Sequence, residues 1–390
     1  MKVIIVQPWI DYRGAETTCV YLAYYLQKLG VKVKIVSLYK DEESLPHFAD
    51  EVEISTLPPK LAKFCQTNRL ILFIFGFPLL FLKTFFERDV SLINAHNLPS
   101  YWIAALIGRL KKIPVVWTAH TIPFKLKLSE SRDLIDFMTW FLGASFIDKI
   151  FVSYINEIIV SSEFAQGIVR ERYERTAKIV PLGINLNLFK LRKSSSIRQK
   201  YKLARHSIIL SVGSLRADKN HEVLIKAFKK VSDTCKDCTL VICGSGPEEE
   251  KLKELVKNLG LMKNVIFTGF IKPKDLADYY KAADVFVLPS KLETWGLTVF
   301  EALSQKTPPI VSPNVGSAKV LIKENIGLVT GVETEDLSKS ILLLLKNNSL
   351  AREFGKRGYK FVQTKLSWDK YAKECLSIFN EQEHGEKRSS

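Results

Sequence analysis

Short apolar runs alternate with longer segments of helical periodicity along most of the chain. The strands predicted in the first half are residues 2–7, 31–38, 90–95, 115–119, 147–153, 158–161 and 178–181. A second series follows at residues 207–213, 239–244, 265–269, 285–289 and 309–312. Because strands that alternate with helices form βαβ units, the pattern predicts an α/β protein whose parallel sheets carry helices on both faces.

The two series of strands predict two Rossmann-like domains. Residues 183–206, which separate the series, are polar and basic and contain several serines, so we expect a linker there. The N-terminal domain would then span residues 1–182 and the C-terminal domain residues 207–366. In open α/β sheets, ligands bind outside the carboxyl ends of the strands, so we expect a site in the cleft between the two domains.

Amino-acid composition limits the class of protein and the kinds of partner that this chain could have. The 390 residues are 47% apolar and 25% charged, which is typical of soluble proteins and excludes disordered, collagen-like and coiled-coil chains. Lys and Arg number 57 against 41 Asp and Glu, a net charge of +16. So basic a surface favours an anionic partner: a nucleic acid, a phospholipid head group or a phosphorylated small molecule. The chain contains no recognisable nucleic-acid-binding module, so we expect no nucleic acid partner.

Cysteine usage and the N-terminus indicate the compartment. Six cysteines in this length do not make a disulfide framework. Cys235 and Cys238 form a CxxC pair, but no second pair or nearby histidine completes a metal set, so we expect them to be structural. The first apolar run is too short for a signal peptide and predicts a strand. We therefore expect a cytoplasmic protein.

Residues 70–82 form an uninterrupted apolar stretch with basic residues at both ends. It contains Phe73, Phe75, Phe77 and Phe81. A membrane-spanning helix needs about 20 apolar residues, so a span is the least favoured interpretation. Two other interpretations are possible. The segment forms a buried helix, or the phenylalanines contact an anionic membrane surface, which is the preferred interpretation. A protein held in this way would be peripheral on the cytoplasmic face.

The segment VFVLPSKLETWGLTVFEAL, residues 285–303, carries the most chemistry. Glu293 lies in a loop after a buried strand, and Glu301 lies eight residues later on an apolar helix. A buried carboxylate needs a partner, which could be a ligand diol or a basic side chain of the protein. The backbone N–H groups of residues 294–298 lie at a helix N-terminus, which favours an anion such as a diphosphate. A purely structural ion pair is the alternative.

Two further strands end in glycine-containing loops. In IILSVGSLRADK, Arg216 and Lys219 follow the strand and could bind phosphate, although an ordinary solvated loop is the alternative. In VICGSGP, Glu249 occupies the place of the third glycine of the dinucleotide fingerprint, which argues against a dinucleotide-dependent oxidoreductase. Near the N-terminus, Gly14 opens a helix and permits a close approach of backbone and ligand, or merely a tight turn. His120 follows a strand and is either a ligand contact or a core residue.

Together these segments resemble glycosyltransferase family 4, a group of retaining enzymes with the GT-B fold. The resemblance is carried by the pair Glu293 and Glu301, by VGSLRADKNHEVLIKAF, and by CGSGPEEEKL, NVIFTGFI and LADYYKAADVFVLPS in the same order. N-terminal matches are RGAE, DVSLINAHN, VVWTAHT and VPLGINLNLF. The resemblance implies two Rossmann-like domains that face each other across a cleft, and a last helix, residues 367–380, that returns to the N-terminal domain.

The same resemblance implies roles for individual residues. Glu301 would hold the ribose, Glu293 and His120 the transferred sugar, and Lys219 the diphosphate, so Lys219, Glu293 and His120 are the implied catalytic residues. The implied donor-binding residues are Gly14, Gly213, Ser214, Arg216, Lys219, Gly244, Glu293, Trp295, Gly296, Leu297, Thr298 and Glu301.

Two departures from the family pattern bear on the donor. Ser214 stands where an arginine is usual, and Arg13 replaces the first glycine of the usual Gly-Gly pair.

The resemblance implies a hexosyltransferase that needs no cofactor or metal. It would move a hexose from a nucleoside-diphosphate sugar to a hydroxyl of a glycan or lipid-linked acceptor, with retention of configuration, in cell-surface polysaccharide or glycolipid biosynthesis. The alternatives are another GT-B enzyme, such as a sugar-nucleotide epimerase, and an inactive scaffold of the same fold.

Overall fold

The computed structural model describes residues 1–11, 14–42, 45–46, 48–66, 71–122, 146–193 and 195–387. The chain divides into two compact units. The first consists of Met1–Pro181 and Trp368–Ser390, and the second of Leu182–Ser367. Each unit contains a parallel sheet, which confirms the predicted α/β fold class.

The first unit is built on a seven-stranded sheet with the strand order β5-β3-β1-β6-β7-β8-β9. Its strands, with a separate short pair formed by β2 and β4, are β1 Lys2–Val6, β2 Trp9–Ile10, β3 Lys32–Val36, β4 Tyr39–Lys40, β5 Glu53–Ser55, β6 Leu92–Ala95, β7 Val115–Thr118, β8 Glu157–Val160 and β9 Lys178–Ile179. The chain order reverses at β1, which pairs with β3 on one side and β6 on the other. Such a switch point is where open α/β sheets bind ligands, beyond the carboxyl ends of the strands.

Helices cover this sheet. They are α1 Gly14–Lys28, α2 Pro59–Gln66, α3 Phe77–Phe85, α4 Ser100–Lys111, α5 Phe146–Ser153 and α6 Glu163–Tyr173. A π-helical turn, Leu72–Gly76, precedes α3, so the apolar stretch at 70–82 is helical wherever the structure describes it. Within the described ranges, no helix is both long and apolar enough to cross a lipid bilayer.

The predicted strand at 147–153 is wrong, because these residues form helix α5. Its β-branched content suggested a strand, but burial follows a helical period: Asp148 and Val152, four residues apart, are buried. The Asp148 carboxylate accepts hydrogen bonds from the Tyr101 hydroxyl at 2.7 Å and the Trp102 indole at 2.8 Å. The Tyr173 hydroxyl donates at 2.6 Å, and Arg172 lies 3.1 Å away. One buried carboxylate thus joins α4, α5 and α6.

The second unit is built on a six-stranded sheet with the order β12-β11-β10-β13-β14-β15. Its strands are β10 Ser207–Val212, β11 Cys238–Cys243, β12 Val265–Gly269, β13 Val285–Leu288, β14 Pro309–Val311 and β15 Leu328–Val329. Its helices are α7 Ile197–Lys200, α8 His221–Thr234, α9 Glu249–Asn258, α10 Pro273–Ala282, α11 Leu297–Ser304, α12 Ala318–Glu324, α13 Thr334–Lys346 and α14 Asn348–Lys365. Strands β11 and β13 are buried throughout, as expected of central strands with helices on both faces.

The last helix, α15 Trp368–Lys387, belongs to the first unit although it follows the second in sequence. It packs along α1, where the Trp368 ring stacks on Tyr21 with centroids 4.6 Å apart. Cys375 on α15 and Cys19 on α1 are both fully buried. Burial of this apolar face anchors α15 to the first unit.

Candidate active site

Adjacent strands bring Lys219 and Glu293 together in the second unit. Strands β10 and β13 pair in parallel, so the loops that follow them leave the same edge of the sheet. Two hydrogen bonds join these loops: the Asn220 side-chain amide donates to the Pro289 carbonyl at 3.2 Å, and the Lys291 N–H donates to the Asp218 carbonyl at 2.8 Å. The loops therefore hold one another in register.

The Lys219 ammonium lies 2.5 Å from the Glu293 carboxylate and 3.8 Å from that of Asp218. The side chains of Lys219 and Glu293 are 17% and 23% exposed, so the pair is mostly withdrawn from water but open to a ligand. Burial lowers the pKa of Lys219, but the opposing charges of Glu293 and Asp218 outweigh it, and the pKa is raised overall. Lys219 is therefore a fixed cation at neutral pH.

The loop that carries Glu293 is also tied to the next loop of the sheet. The Glu293 N–H donates to the Asn314 carbonyl at 3.1 Å, and the Gly316 N–H donates to the Glu293 carbonyl at 2.7 Å. The Ser317 N–H donates to the Trp295 carbonyl at 3.1 Å. These contacts fix the backbone of Glu293 before any ligand binds.

Glu301 lies on α11, eight residues beyond Glu293, and is partly buried. Its carboxylate accepts a hydrogen bond from the Tyr280 hydroxyl at 2.7 Å. Burial raises the pKa of Glu301 to about 7, against the lowering effect of the Tyr280 hydrogen bond. From the sequence we expected a basic side chain or a ligand diol as the partner of Glu301. The partner in the structure is the neutral hydroxyl of Tyr280. Further hydrogen-bond donors, such as those of a ligand, would therefore stabilise the ionised form of Glu301.

Helix α11 begins immediately after Gly296, which has a left-handed φ of +85°. The N–H groups of Leu297 and Thr298 open the helix and have no acceptor within it. Trp295 is buried and stacks on Phe300 with ring centroids 4.7 Å apart, which fixes the turn. The predicted set Trp295, Gly296, Leu297 and Thr298 thus forms a rigid helix start suited to an anion.

Gly213 and Gly244 lie where the loops after β10 and β11 touch. The Gly213 N–H donates to the Cys243 carbonyl at 3.0 Å. Gly244 has a φ of +148°, and a Cβ there would lie 1.9 Å from the Gly213 carbonyl oxygen, so only glycine fits. Ser214 and Arg216 are both exposed, and the Arg216 guanidinium bonds to Asp218 at 2.9 Å.

Gly14 and His120 belong to the first unit, at the carboxyl edge of its sheet. Gly14 is the first residue of α1, and its carbonyl accepts a hydrogen bond from the Thr18 hydroxyl at 2.7 Å. Arg13 falls outside the described residues. His120 follows β7, is buried, and lies 2.8 Å from the ring of His96, measured between His120 Nε2 and His96 Nδ1. The candidate residues therefore form one group in each unit.

Sequence reasoning did not single out His96, Asn94 or Tyr280. A usable signal existed for the first two, because polar residues two apart at the end of the apolar strand β6 lie on one face of the sheet. Nothing near Tyr280 indicates a pairing with a carboxylate 21 residues away. In the described ranges, no group of three or more His, Cys, Asp or Glu side chains could hold a metal ion.

Comparison with known proteins gives two family matches. Residues 193–361 match the family "Glycosyl transferases group 1", and residues 12–188 match "Glycosyltransferase Family 4". Mannosylfructose-phosphate synthase of Agrobacterium fabrum is 25% identical over 92% of this chain and 85% of its own length. Alpha-monoglucosyldiacylglycerol synthase of Streptococcus pneumoniae is 28% identical over 65% of this chain and 62% of its own.

Solved structures share the fold. Sucrose-phosphate synthase from Thermosynechococcus elongatus superimposes with a TM-score of 0.79 at 22% identity, covering 98% of each chain. Anabaena HepE, solved with UDP and glucose, superimposes with a TM-score of 0.76 at 17% identity, covering 98% of this chain and all of its own. The two family matches together cover most of the chain. The match to residues 12–188 falls mainly on the first unit, and the match to residues 193–361 falls within the second unit. The chain belongs to glycosyltransferase family 4 and has the GT-B fold.

Proposed function

We propose that the protein is a hexosyltransferase that uses a nucleoside-diphosphate sugar and glycosylates a hydroxyl of a glycan or lipid-linked acceptor, with retention and without a metal. The observation that carries the proposal is the Lys219–Glu293 pair, held at 2.5 Å by two interlocked loops beside the start of helix α11. A partly exposed cation, an adjacent carboxylate and unpaired N–H groups suit a ligand with a diphosphate and several hydroxyls.

The names of relatives support the substrate class. They include a mannosylfructose-phosphate synthase, a sucrose-phosphate synthase and a monoglucosyldiacylglycerol synthase. HepE has been solved with UDP-glucose. Mannosyl and glucosyl groups, sugar phosphates and a lipid occur in these names, and the ligand of HepE is a nucleoside-diphosphate hexose. Work at a cytoplasmic membrane, in the synthesis of surface polysaccharide or glycolipid, fits the lipid case.

The proposed mechanism depends on the charge that develops as the donor is cleaved. As the anomeric C–O bond breaks, negative charge grows on the β-phosphate and the sugar gains oxocarbenium character. Lys219 and the N–H groups of Leu297 and Thr298 are already oriented, so they stabilise that charge without reorganising. In the free protein Glu293 neutralises Lys219. A bound diphosphate competes for the ammonium, which leaves the Glu293 carboxylate available to sugar hydroxyls.

The remaining candidate residues have matching roles. Glu301 accepts hydrogen bonds from the ribose hydroxyls, and Gly14 permits the backbone of the first unit to approach the phosphates. His120 contacts the transferred sugar. With front-face attack, the departing phosphate takes the acceptor proton and the configuration is retained, so no protein side chain is assigned as a nucleophile.

The test is a panel of UDP-, GDP- and ADP-hexoses, with nucleoside diphosphate release followed in the presence and absence of a membrane lipid extract. Lys219→Ala and Glu301→Ala should each lower the rate of transfer by about 10²–10³-fold. Lys226→Ala and Glu353→Ala are matched controls, because both side chains form exposed helical pairs in the same unit. Wild-type rates in either site variant would refute the site, and NMR of the product's anomeric proton tests retention.

A second observation favours a membrane-bound acceptor. Exposed apolar side chains lie on α2, α3, α4, α5 and the π-helical turn, and α4 packs against both α3 and α5. We name them the apolar surface: Phe64, Ile74, Phe75, Leu82, Phe86, Leu106, Leu110, Ile147 and Ile150. The exposed cations on or beside these helices include Lys60, Lys63, Arg88, Arg109, Lys112 and Lys149. Apolar side chains among cations are typical of a surface that binds anionic lipid.

The phenylalanines singled out from the sequence differ in exposure. Phe75 is exposed, Phe77 and Phe81 are half-buried, and the side chain of Phe73 lies outside the described residues. Phe81 stacks on Phe85 with centroids 5.6 Å apart. Phe75→Ser combined with Phe86→Ser should therefore weaken flotation with anionic vesicles. Met262→Ser combined with Ile322→Ser, exposed apolar residues of the second unit, is the matched control. Equal flotation of both variants would contradict the membrane contact.

A further inference from the structure

Four charged side chains of alternating sign form a series at the edge of the second sheet: Arg216, Asp218, Lys219 and Glu293. Asp218 lies between the two cations. One of its carboxylate oxygens accepts a hydrogen bond from Arg216 Nε at 2.9 Å, and the other lies 3.8 Å from Lys219 Nζ. Lys219 in turn lies 2.5 Å from the Glu293 carboxylate. A single carboxylate therefore separates the Arg216 guanidinium from the Lys219 ammonium.

The backbone fixes the position of Asp218. Residues Ala217–Lys219 form one 3₁₀ turn, which the Lys219 N–H closes by donating to the Arg216 carbonyl at 3.0 Å. The Asp218 carbonyl accepts a hydrogen bond from the Lys291 N–H at 2.8 Å, which ties the middle of the turn to the loop after β13. The Asp218 carboxylate thus projects from a constrained backbone and can restrain a longer side chain beside it.

The Arg216 guanidinium keeps most of its hydrogen-bond donors available. The side chain is 61% exposed, and Nε forms the only hydrogen bond that it makes within the described part of the chain. The N–H groups of the two terminal nitrogens therefore have no partner there. Such a planar pair of donors matches two oxygens of a phosphate group. The Nε bond restricts rotation of the guanidinium and leaves these donors accessible.

We propose that Asp218 is a positioning residue that holds the Arg216 guanidinium beside Lys219, so that the terminal nitrogens of Arg216 bind the same diphosphate as Lys219. Without Asp218 the two cations would repel one another, and the exposed Arg216 side chain would turn into the solvent. The identity of the anion rests on the proposed function. All of these side chains belong to the second unit, so the inference requires nothing of the first.

Removal of Asp218 separates positioning from simple electrostatics, because the two predict opposite signs. A carboxylate near a diphosphate repels it, so loss of the charge alone would tighten binding. Loss of a positioning contact would weaken binding. Isothermal titration of the full chain with UDP, GDP and ADP identifies the nucleoside diphosphate that binds most tightly, which then serves as the probe. Asp218→Ala and Arg216→Ala should each weaken its binding by about tenfold, the worth of one hydrogen bond to a charged group.

Further variants test whether the two residues act as a unit. The double variant Asp218→Ala/Arg216→Ala should bind no more weakly than either single variant, because both substitutions remove the same contact. Asp218→Asn keeps an oxygen that can accept from Arg216 Nε and should restore most of the affinity. Arg216→Lys keeps the charge but loses the paired donors and should not restore it. Lys229→Ala and Asp233→Ala, in an exposed ion pair on α8, make matched changes of charge and should leave binding unchanged.

The outcomes distinguish this role from the proposed function. Tighter binding by Asp218→Ala, unchanged binding by Arg216→Ala, or additive losses in the double variant would each overturn the positioning role and leave the proposed function intact. If the wild type binds none of the three nucleoside diphosphates, the proposed function fails and the inference fails with it.

Discussion

A nucleotide that binds through Glu301 should release a proton. The pKa of this carboxyl is raised to about 7 because burial disfavours its charge, and Tyr280 alone donates to it among the described side chains. Ribose hydroxyls would add donors that stabilise the carboxylate and draw its pKa back towards the ordinary value. Binding and deprotonation of Glu301 are then linked.

The size of the effect follows from the two pKa values. With a pKa near 7 in the free protein, about 0.9 of the Glu301 carboxyls are protonated at pH 6 and about 0.1 at pH 8. If the pKa in the complex returns to about 4.5, binding releases about 0.9 proton at pH 6 and about 0.1 at pH 8. The affinity for the nucleotide should rise about tenfold over the same interval, because the carboxylate form binds the nucleotide more tightly than the protonated form does.

Isothermal titration of the protein with UDP, in buffers of different ionisation enthalpy, measures this release directly. Glu301→Gln should bind UDP more weakly and should lack the proton release that comes from Glu301. The difference between the two proteins separates this release from any protons released by the phosphates of UDP itself. Equal proton release by wild type and Glu301→Gln across the whole pH range would refute the assignment of Glu301 to the ribose.

Three further predictions concern other features. Asp148→Ala removes the acceptor of buried hydroxyl groups on α4 and α6 and should lower the free energy of unfolding by about 3–5 kcal/mol. Asp233→Ala, at an exposed position, should leave the thermal transition unchanged. Equal transition temperatures in the two variants would argue against the role of the buried network. Gly244→Ala should destabilise the second unit by about 1–3 kcal/mol in urea unfolding, while Gly213→Ala, whose Cβ meets nothing within 4 Å, should be tolerated. Transfer should survive EDTA, because Lys219 supplies the positive charge; an activity lost and then restored by Mg²⁺ or Mn²⁺ would contradict that.

The sheets were predictable where strands are long and buried. The apolar strands of the second unit stand out because burial on both faces makes each a continuous apolar run. Trp9–Ile10, Glu53–Ser55 and Leu328–Val329 were missed, because two or three residues are too few to show any periodicity. The equally short strands Lys178–Ile179 and Pro309–Val311 were predicted within the ranges 178–181 and 309–312. Helix α5 was mistaken for a strand because local β propensity is overridden there by the contacts of buried Asp148.

The candidate site was predictable to the level of the loops, not of the contacts. Parallel strands end at one edge of a sheet, so loops with Lys219 and Glu293 could be expected on the same side. That they lie 2.5 Å apart depends on strand order, which one sequence does not reveal. The Tyr280 and His96 contacts are likewise tertiary, since each joins residues from different elements of the fold.

The position of helix α15 has a consequence for biosynthesis. The first unit is incomplete until Trp368 and the residues after it have left the ribosome, and the whole of Leu182–Ser367 is translated in between. At typical elongation rates that interval lasts roughly 10–40 s. During it the face of α1 around Cys19 and Tyr21 lacks its native cover, and a nascent chain would expose an apolar groove there. Chaperone engagement of the nascent chain should therefore persist until the last helix docks.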